Sequence, residues 1–393
     1  MANVFLPTAD GSTETYQTSE PRAFKTAHAN GLPRIAYAAA HVVADPLADC
    51  DPWLDTAIDW DATIAYRRYL WSLGLGVAEA MDTAQRGMGL DWTNALELIK
   101  RSIDAARDFE AETGAGALLA SGAGTDHLAP GPEVTLDDVI AAYEEQCEAI
   151  ESAGGRIILM ASRALATAAT SRDDYIRVYD RILSQVREPV IIHWLGEMFD
   201  PALAGYWGSP DHWQAMDVCL DVCAQNSAKV DGVKVSLLDD QKEIAMRRRL
   251  PDGVRMYTGD DFNFPDLIAG DDEGHSDALL GIFDAIAPAA SAALEAMAKK
   301  DMQAYWDILE PTVALSRHIF QAPTRFYKTG VVFLAYLNGH QNHFLVVGGQ
   351  EGTRSTLHLA QLFRLTDKAG LFADPDLAAQ RMAAVMAVHG IGN

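Results

Sequence analysis

A lysine at position 234 stands inside an otherwise apolar stretch, VDGVKVSLL. An ammonium group there must reach solvent along its stem, pair with a carboxylate, or lie in a buried pocket. Burial disfavours the charged form and lowers the pKa of a lysine, and a neutral amine can attack a carbonyl carbon to form a Schiff base. The residues leave one alternative open, a strand-end lysine paired with a neighbour such as Asp260.

Two other side chains could move a proton beside such a lysine. His193 lies in a second apolar stretch, EPVIIHWLG, and an imidazole titrates near neutrality. Tyr257, in VRMYTGDD, is the second candidate. A histidine hydrogen-bonded within the core is the structural alternative for His193.

A set of oxygen and nitrogen donors permits a different chemistry. Glu79, Asp82, His193 and Asp260 are ligands of the kind that suit Mg²⁺, Mn²⁺ or Zn²⁺. In a metal-dependent lyase or isomerase the divalent cation, instead of an iminium, would polarise the carbonyl group. The four residues come from different stretches of the chain, so no local spacing supports this second hypothesis.

The elements that would position these residues follow a repeating order. Short apolar runs, typical of buried strands, alternate with amphipathic stretches, typical of helices. We predict strands at 34–43, 75–81, 115–121, 156–161, 189–194, 232–237, 254–258 and 277–283. We predict helices between them at 59–73, 91–110, 136–153, 172–186, 212–226 and 240–250, the first capped by Asp59.

Eight strand–helix units over about 260 residues fit the (β/α)8 TIM barrel, a fold of the α/β class. A doubly wound open sheet is the alternative, but the first strand lacks the glycine-rich loop that such sheets offer to a nucleotide. We expect an N-terminal arm at 1–33, the barrel at 34–290 and a helical C-terminal extension at 291–393. His340 and His343 fall in that extension, where we expect a surface or interface role.

Several stretches resemble the dihydrodipicolinate synthase / N-acetylneuraminate lyase superfamily. They are GVKVS, the YTGDD that follows it, EPVIIHWLG, LGIFDAIAPAASAAL and APTRFYKTGVVFLAYLNG. The chain is most similar to a divergent, dihydrodipicolinate synthase-like branch of unknown function. The resemblance spans about residues 34 to 339, and it implies a class I (Schiff-base) aldolase on a TIM barrel with a C-terminal helical extension.

The resemblance also implies roles for particular residues. Lys234 lies where the superfamily has its Schiff-base lysine, and no other cofactor is then needed. Gly259, Asp260 and Asp261 lie where the turn after the seventh strand approaches the pocket. A homodimer or homotetramer is expected by the same resemblance.

Two stretches depart from the superfamily pattern. AEAMDTAQRG replaces a Gly-Thr-Thr-Gly-Glu type loop, so that Asp82 and Thr83 stand where hydroxyls and amides would hold a substrate carboxylate. The anion would repel a keto acid unless Arg86 turned inward to offset it. MASRALA offers Ser162 and Arg163 where the superfamily has a tyrosine that shuttles protons. We therefore expect a polyhydroxylated or sugar-derived carbonyl substrate.

The charge balance excludes some other functions. The 393 residues include 31 basic and 55 acidic ones, a net charge of −24, which disfavours binding to nucleic acid or to an anionic membrane. The stretch at the N-terminus lacks the pattern of a signal peptide, and four cysteines are too few for a disulfide scaffold, so we expect a cytoplasmic protein with a small-molecule substrate.

Part of the acidic excess falls where the strands should open into a pocket. The residues concerned are Glu79, Asp82, Asp126, Asp260 and Asp277. They predict a barrel mouth more anionic than a keto-acid aldolase requires. A non-catalytic barrel that binds a ligand is the third hypothesis for the chain.

Overall fold

The computed structural model describes residues 2–26 and 31–392. They form two compact units. One unit contains Arg34–Ala40 and Gly76–Gly281, and the other contains Met1–Pro33, His41–Leu75 and Ile282–Asn393.

The strands are β1 (Asn3–Pro7), β2 (Thr13–Gln17), β3 (Ala36–Ala39), β4 (Gly76–Glu79), β5 (Leu119–Ala123), β6 (Ile157–Leu159), β7 (Val190–Leu195), β8 (Val230–Ser236), β9 (Arg255–Thr258) and β10 (Asp277–Leu280). Strands β3 to β10 pair in parallel and close into a barrel in the order β10-β3-β4-β5-β6-β7-β8-β9. The eight predicted strands are therefore confirmed, and the fold is the TIM barrel of the α/β class.

The helices are α1 (Trp60–Ser72), α2 (Trp92–Thr113), α3 (Leu136–Ala153), α4 (Arg163–Ala168), α5 (Arg172–Leu183), α6 (His212–Gln225), α7 (Asp240–Arg247), α8 (Phe264–Ala269), α9 (Ile282–Ala285), α10 (Ala287–Ala298), α11 (Met302–Ile319), α12 (Tyr327–Leu337), α13 (Thr356–Lys368) and α14 (Pro375–Val388). Asp59 caps α1 as predicted, since its carboxylate accepts a hydrogen bond from the amide of Ala62 at 3.0 Å.

The barrel interior is filled by alternate residues of its strands. Tyr37, Ala78, Ile158, Ile191 and Leu279 form part of one buried cluster there. Because side chains alternate between the two faces of a strand, residues two positions further along point into the barrel as well. This alternation determines which polar residues reach the mouth.

The other unit contains a β-hairpin and the C-terminal helices. Strands β1 and β2 pair antiparallel within the stretch that we expected to be an N-terminal arm. Asp367 on α13 anchors the chain that follows the hairpin, since its carboxylate accepts hydrogen bonds from Tyr16 Oη at 2.9 Å and from the Ser19 amide at 3.0 Å. Every residue of α12 is buried. Within residues 2–26 and 31–392, no helix has the length and apolar character needed to span a bilayer.

Candidate active site

Lys234 lies in the middle of β8, in register with His193 on β7 and Tyr257 on β9. Its side chain is buried, with 6% of the residue's surface exposed. Burial lowers the pKa of the amine, while the negative charges of Asp82 and Asp261 partly oppose the shift. No group among the described residues accepts a hydrogen bond from its Nζ, so the amine is held by packing and charge alone.

Gly259 leaves the space that the Lys234 side chain occupies. A Cβ atom at this position would lie 2.6 Å from the carbonyl oxygen of Val235 and 2.9 Å from Lys234 Cε, and it would also collide with Ser236 Oγ. The absence of a side chain in the turn after β9 therefore lets the lysine and the serine of β8 lie side by side. Any larger residue would displace one of them.

His193 is fully buried and makes one hydrogen bond, between Nε2 and Ser236 Oγ at 3.2 Å. Its Nδ1 has no hydrogen-bond partner among the described residues and lies 3.8 Å from Asp82 Oδ2. Burial, and then the positive charge of Lys234, lower the pKa of His193 well below its usual range. The ring is therefore neutral near pH 7 and has one nitrogen available to accept or donate a proton.

A cavity opens at the carboxyl ends of β4 to β7. His193 and Asp82 line it, whereas Lys234 does not line it and is affected by the negative charge of Asp82. The other polar residues that line it are Arg86, Thr125, Asp126, Ser162, Arg163 and Asp200. All of these residues belong to the barrel unit.

Arg86 turns inward, but all of its donors are already used. Nε and Nη2 bind the two carboxylate oxygens of Asp126, the Nε bond being 3.0 Å long. Nη1 donates to the carbonyl oxygens of Ala80 and Gly122, and Nη2 also donates to Gln146 Oε1 at 2.9 Å. A guanidinium carries five N–H groups, so none remains for a substrate carboxylate.

The same contacts explain the charge state of Asp126. Burial raises its pKa, but Arg86 and Gln146 lower it by more, and the net shift is downward. The carboxylate stays ionised and paired, and the pair presents little net charge to the cavity.

Ser162 and Arg163 follow β6, and their side chains make different contacts. The Ser162 hydroxyl bonds Thr125 Oγ1 at 2.6 Å and caps α4 through the amide of Leu165 at 2.9 Å. Arg163 Nε donates to Asp200 Oδ2 at 2.5 Å, and its guanidinium lies across Gly87. Nη1 and Nη2 of Arg163 make no hydrogen bond within the described residues, so this cation keeps donors for a ligand.

The four residues of the metal hypothesis do not converge. Glu79 Oε2 accepts a hydrogen bond from Ser102 on α2 at 2.6 Å, so this carboxylate faces the outer helix. Asp260 accepts from the amides of Phe262 and Asn263 at 2.8 and 3.0 Å and holds its own turn together. The part of the chain that the structure describes contains no group of three or more His, Cys, Asp or Glu residues that could hold a metal ion.

Three other predicted residues have different surroundings. The Tyr257 hydroxyl donates to Asp231 Oδ2 at 2.6 Å, near the amino end of β8, and its ring packs in the barrel interior. Thr83 is buried and is not one of the residues that line the cavity. Asp261 is buried, and its charge acts on Lys234.

The expectation of a strongly anionic mouth is wrong. Glu79 faces α2, Asp126 is paired with Arg86, and Asp260 accepts hydrogen bonds from its own turn. Asp277 is the first residue of β10, at the opposite end of the barrel, and accepts from the amide of Ile35 at 2.8 Å. Of the five acidic residues, only Asp82 presents a carboxylate to the cavity without a cationic partner in hydrogen-bond contact.

Sequence reasoning left out some of the residues that shape the site. Asp200 and Gln146 pair with residues 37 and 60 positions away, and such separations leave no local pattern to detect.

The fold and the site define a TIM barrel with a buried lysine on its sixth strand. The chain is similar to YagE of E. coli K12, a prophage protein of the dihydrodipicolinic acid synthase family solved in complex with pyruvate, at 14% identity and a TM-score of 0.64. The match covers 87% of this chain and 100% of that one.

Two other solved structures give the same result. The dihydrodipicolinate synthase of Aquifex aeolicus matches at 11% identity and a TM-score of 0.62. The chloride-inhibited enzyme of Acinetobacter baumannii, complexed with pyruvate, matches at 15% identity and a TM-score of 0.61. Each match covers 86% of this chain and 99% of the other. The resemblance predicted from the sequence is therefore confirmed in the fold.

The chain belongs to the family described as Protein of unknown function (DUF993), whose model matches residues 4–391. No curated protein matches the sequence.

Proposed function

We propose that the protein is a lyase that forms a Schiff base between Lys234 and a small carbonyl compound. The observation that carries the proposal is a buried amine with a lowered pKa and no hydrogen bond, in register with a neutral histidine on the next strand. The dihydrodipicolinate synthase fold, in which two of the similar structures hold pyruvate, supports the assignment.

The residues around Lys234 supply the groups that such a reaction needs. The neutral Nζ attacks the carbonyl carbon to give a carbinolamine, which takes up one proton on its hydroxyl group and loses water to leave an iminium. The iminium withdraws electrons from a bond next to it, so a C–C or C–O bond can break there while a proton moves. We assign that proton to His193 Nδ1, the nitrogen without a partner, while Ser236 fixes the ring through Nε2.

The cavity also favours a class of substrate. Arg86 has no donor left for a carboxylate, whereas Asp82 offers acceptor oxygens to hydroxyl groups. Thr125 and Ser162 line the same cavity with hydroxyls, and Arg163 adds free donors. We therefore propose a polyhydroxylated or sugar-derived carbonyl compound as the substrate.

Borohydride trapping tests the assignment of the lysine. The full chain is incubated with pyruvate, dihydroxyacetone, glyceraldehyde or open-chain sugar analogues, reduced, and mapped by peptide mass spectrometry. We expect one reduced adduct on Lys234 with at least one hydroxylated compound, and none in Lys234→Ala. Lys242→Ala is the matched control, since this lysine pairs with Asp239 at 2.5 Å and should not affect trapping.

Two results would contradict the proposal. One is no adduct on Lys234 with any compound of the panel. The other is an adduct that forms equally well in Lys234→Ala. Stronger trapping by pyruvate than by every hydroxylated compound would retain the lysine and reject the substrate class.

A further inference from the structure

A second cavity lies within the unit that contains α1 and the C-terminal helices. Its residues come from α1, α9, α12 and the loops near them. Its lining includes the apolar Leu334 and Leu371, the amide of Asn338, three rings and a single carboxylate. None of these residues belongs to the Lys234 site.

Three rings form what we term the aromatic wall, which consists of Tyr66, Tyr69 and His340. The ring centroids of Tyr66 and Tyr69 lie 5.7 Å apart, and those of Tyr69 and His340 lie 4.6 Å apart. Tyr66 and His340 meet edge to face at 4.9 Å. The rings pack against one another, and all three residues line the cavity.

Asp284 is the carboxylate beside this wall. Its carboxylate accepts hydrogen bonds from the His41 amide at 2.7 Å and from His41 Nδ1 at 2.8 Å. The Tyr66 hydroxyl donates to the backbone carbonyl oxygen of Asp284 at 2.7 Å and lies 3.1 Å from Oδ1. The residue is 2% exposed but still lines the cavity. Arg67, a buried cation of α1, donates instead to the carbonyl oxygens of His41 and Thr63 and does not line the cavity.

The remaining polar atoms of the wall are available and uncharged. Neither the Tyr69 hydroxyl nor the His340 ring makes a hydrogen bond within the described part of the chain. Burial, and then the neighbouring His41, lower the pKa of His340 to about 4, although Asp284 opposes the shift. Burial and Asp284 raise the pKa of Tyr69 to about 12. At neutral pH the His340 ring and the Tyr69 hydroxyl are therefore uncharged, and Asp284 is the one acidic residue among the described residues that line the cavity.

We propose that this cavity binds a small organic cation, an ammonium group with apolar substituents, against the aromatic wall. The negative faces of aromatic rings attract a cation within about 6 Å of the ring centroid, and a partly desolvated site strengthens the attraction. Asp284, which His41 Nδ1 contacts at 2.8 Å, supplies a carboxylate beside the rings, and Leu334 and Leu371 receive the apolar substituents. An anion of the same size would face the carboxylate and the ring faces and be repelled.

Calorimetric titration of the full chain with two probes of equal shape tests the proposal. Choline has a trimethylammonium group, and 3,3-dimethyl-1-butanol has the same outline without the charge. We expect choline to bind at one site and the alcohol to bind at least about tenfold more weakly, a difference of about 1.4 kcal/mol.

Variants then locate the site. Tyr69→Leu removes a ring whose hydroxyl has no partner within the described residues, and Asp284→Asn removes the charge; each should weaken choline binding at least about tenfold. Tyr336→Leu is the matched control, since this ring lies on α12 but lines a different cavity, and it should leave the affinity within about twofold. If Asp284→Asn fails to fold, Tyr69→Leu decides alone.

Three results would overturn the proposal. They are no binding of choline to the unmodified chain, equal binding of the uncharged alcohol, and unchanged choline binding in Tyr69→Leu. Each is independent of trapping on Lys234, because both probes lack a carbonyl group.

Discussion

Lys234 and Glu79 are both ionisable residues in apolar barrel strands, but their side chains point to opposite faces of the sheet. Lys234 shares its face of the sheet with His193 and points into the barrel, whereas Glu79 follows the inward Ala78 and points to Ser102 on α2. Because the side-chain period of a strand is two, a shift of one residue moves a carboxylate from the mouth to the helix layer. The same rule identifies Ser236 as a neighbour of the lysine.

Gly259→Ala tests the close packing around the lysine. The added methyl would meet the Val235 carbonyl oxygen at 2.6 Å, and this atom belongs to a paired strand that cannot easily move. We expect urea unfolding to show a loss of about 1–3 kcal/mol, the usual cost of overpacking, and borohydride trapping to fall. Gly116→Ala is the control, since a Cβ there would have no heavy atom within 4 Å. Full trapping in Gly259→Ala would mean that the Lys234 side chain does not need the space that this glycine leaves.

At the scale of elements, the strand–helix alternation could be predicted because each strand–helix repeat has its own apolar run and its own helix-capping residues. The predicted helix at 136–153 coincides with α3, and the one at 212–226 with α6 to within one residue. The run at 277–283 was predicted as one strand, but only β10 is extended, and α9 begins at Ile282. A short apolar run is compatible with either structure, so periodicity could not place this boundary.

The side chains of the site were harder to predict than the elements that carry them. Lys234 and His193 are adjacent because β7 and β8 pair in a particular register, which the spacing of the residues along the chain does not contain. The hydrogen bonds that occupy the Arg86 guanidinium depend on Asp126 and Gln146, which come from later strand–helix repeats of the barrel. Sequence alone therefore predicted candidates at the strand ends, but not which of them are already paired.

Glu243 on α7 gives a prediction about how an outer helix attaches to the barrel. Its carboxyl group accepts hydrogen bonds from Thr258 on β9 at 3.0 Å and from Ser276 at 2.7 Å. Burial raises its pKa from 4.5 to about 8. Between those two values the unfolded chain has lost this proton while the folded chain keeps it, so rising pH favours unfolding.

The difference between wild type and Glu243→Gln isolates this contribution. The glutamine cannot ionise, so wild type should lose stability relative to the variant as pH rises from about 5 to about 8, by up to about 1.4 kcal/mol per pH unit. Urea unfolding at several pH values measures the difference, with the exposed Glu148→Gln as control. A constant difference over this range would show that Glu243 is ionised in the folded state.

At the scale of the whole molecule, the net charge of −24 belongs mainly to the protein surface and less to the barrel cavity. In the barrel cavity, carboxylates such as Asp126 and Asp200 are paired with arginines. Elsewhere acidic residues such as Asp137 and Asp221 meet arginines on exposed helix faces, where an ion pair contributes little because both groups are solvated. With 24 more acidic than basic residues, much of the surface charge has no opposite charge beside it.

This excess predicts that salt stabilises the fold. Repulsion among surface carboxylates disfavours the compact state, and raising the ionic strength from about 0.01 M to about 0.1 M shortens the Debye length from about 30 Å to about 10 Å. We expect the urea midpoint to rise with sodium chloride over this range at pH 7.5. Near pH 5, close to the isoelectric point of about 4.7, the rise should disappear, because the net charge is then small. A midpoint that falls with salt at pH 7.5 would instead mean that ion pairs such as Arg172–Asp221 outweigh the repulsion.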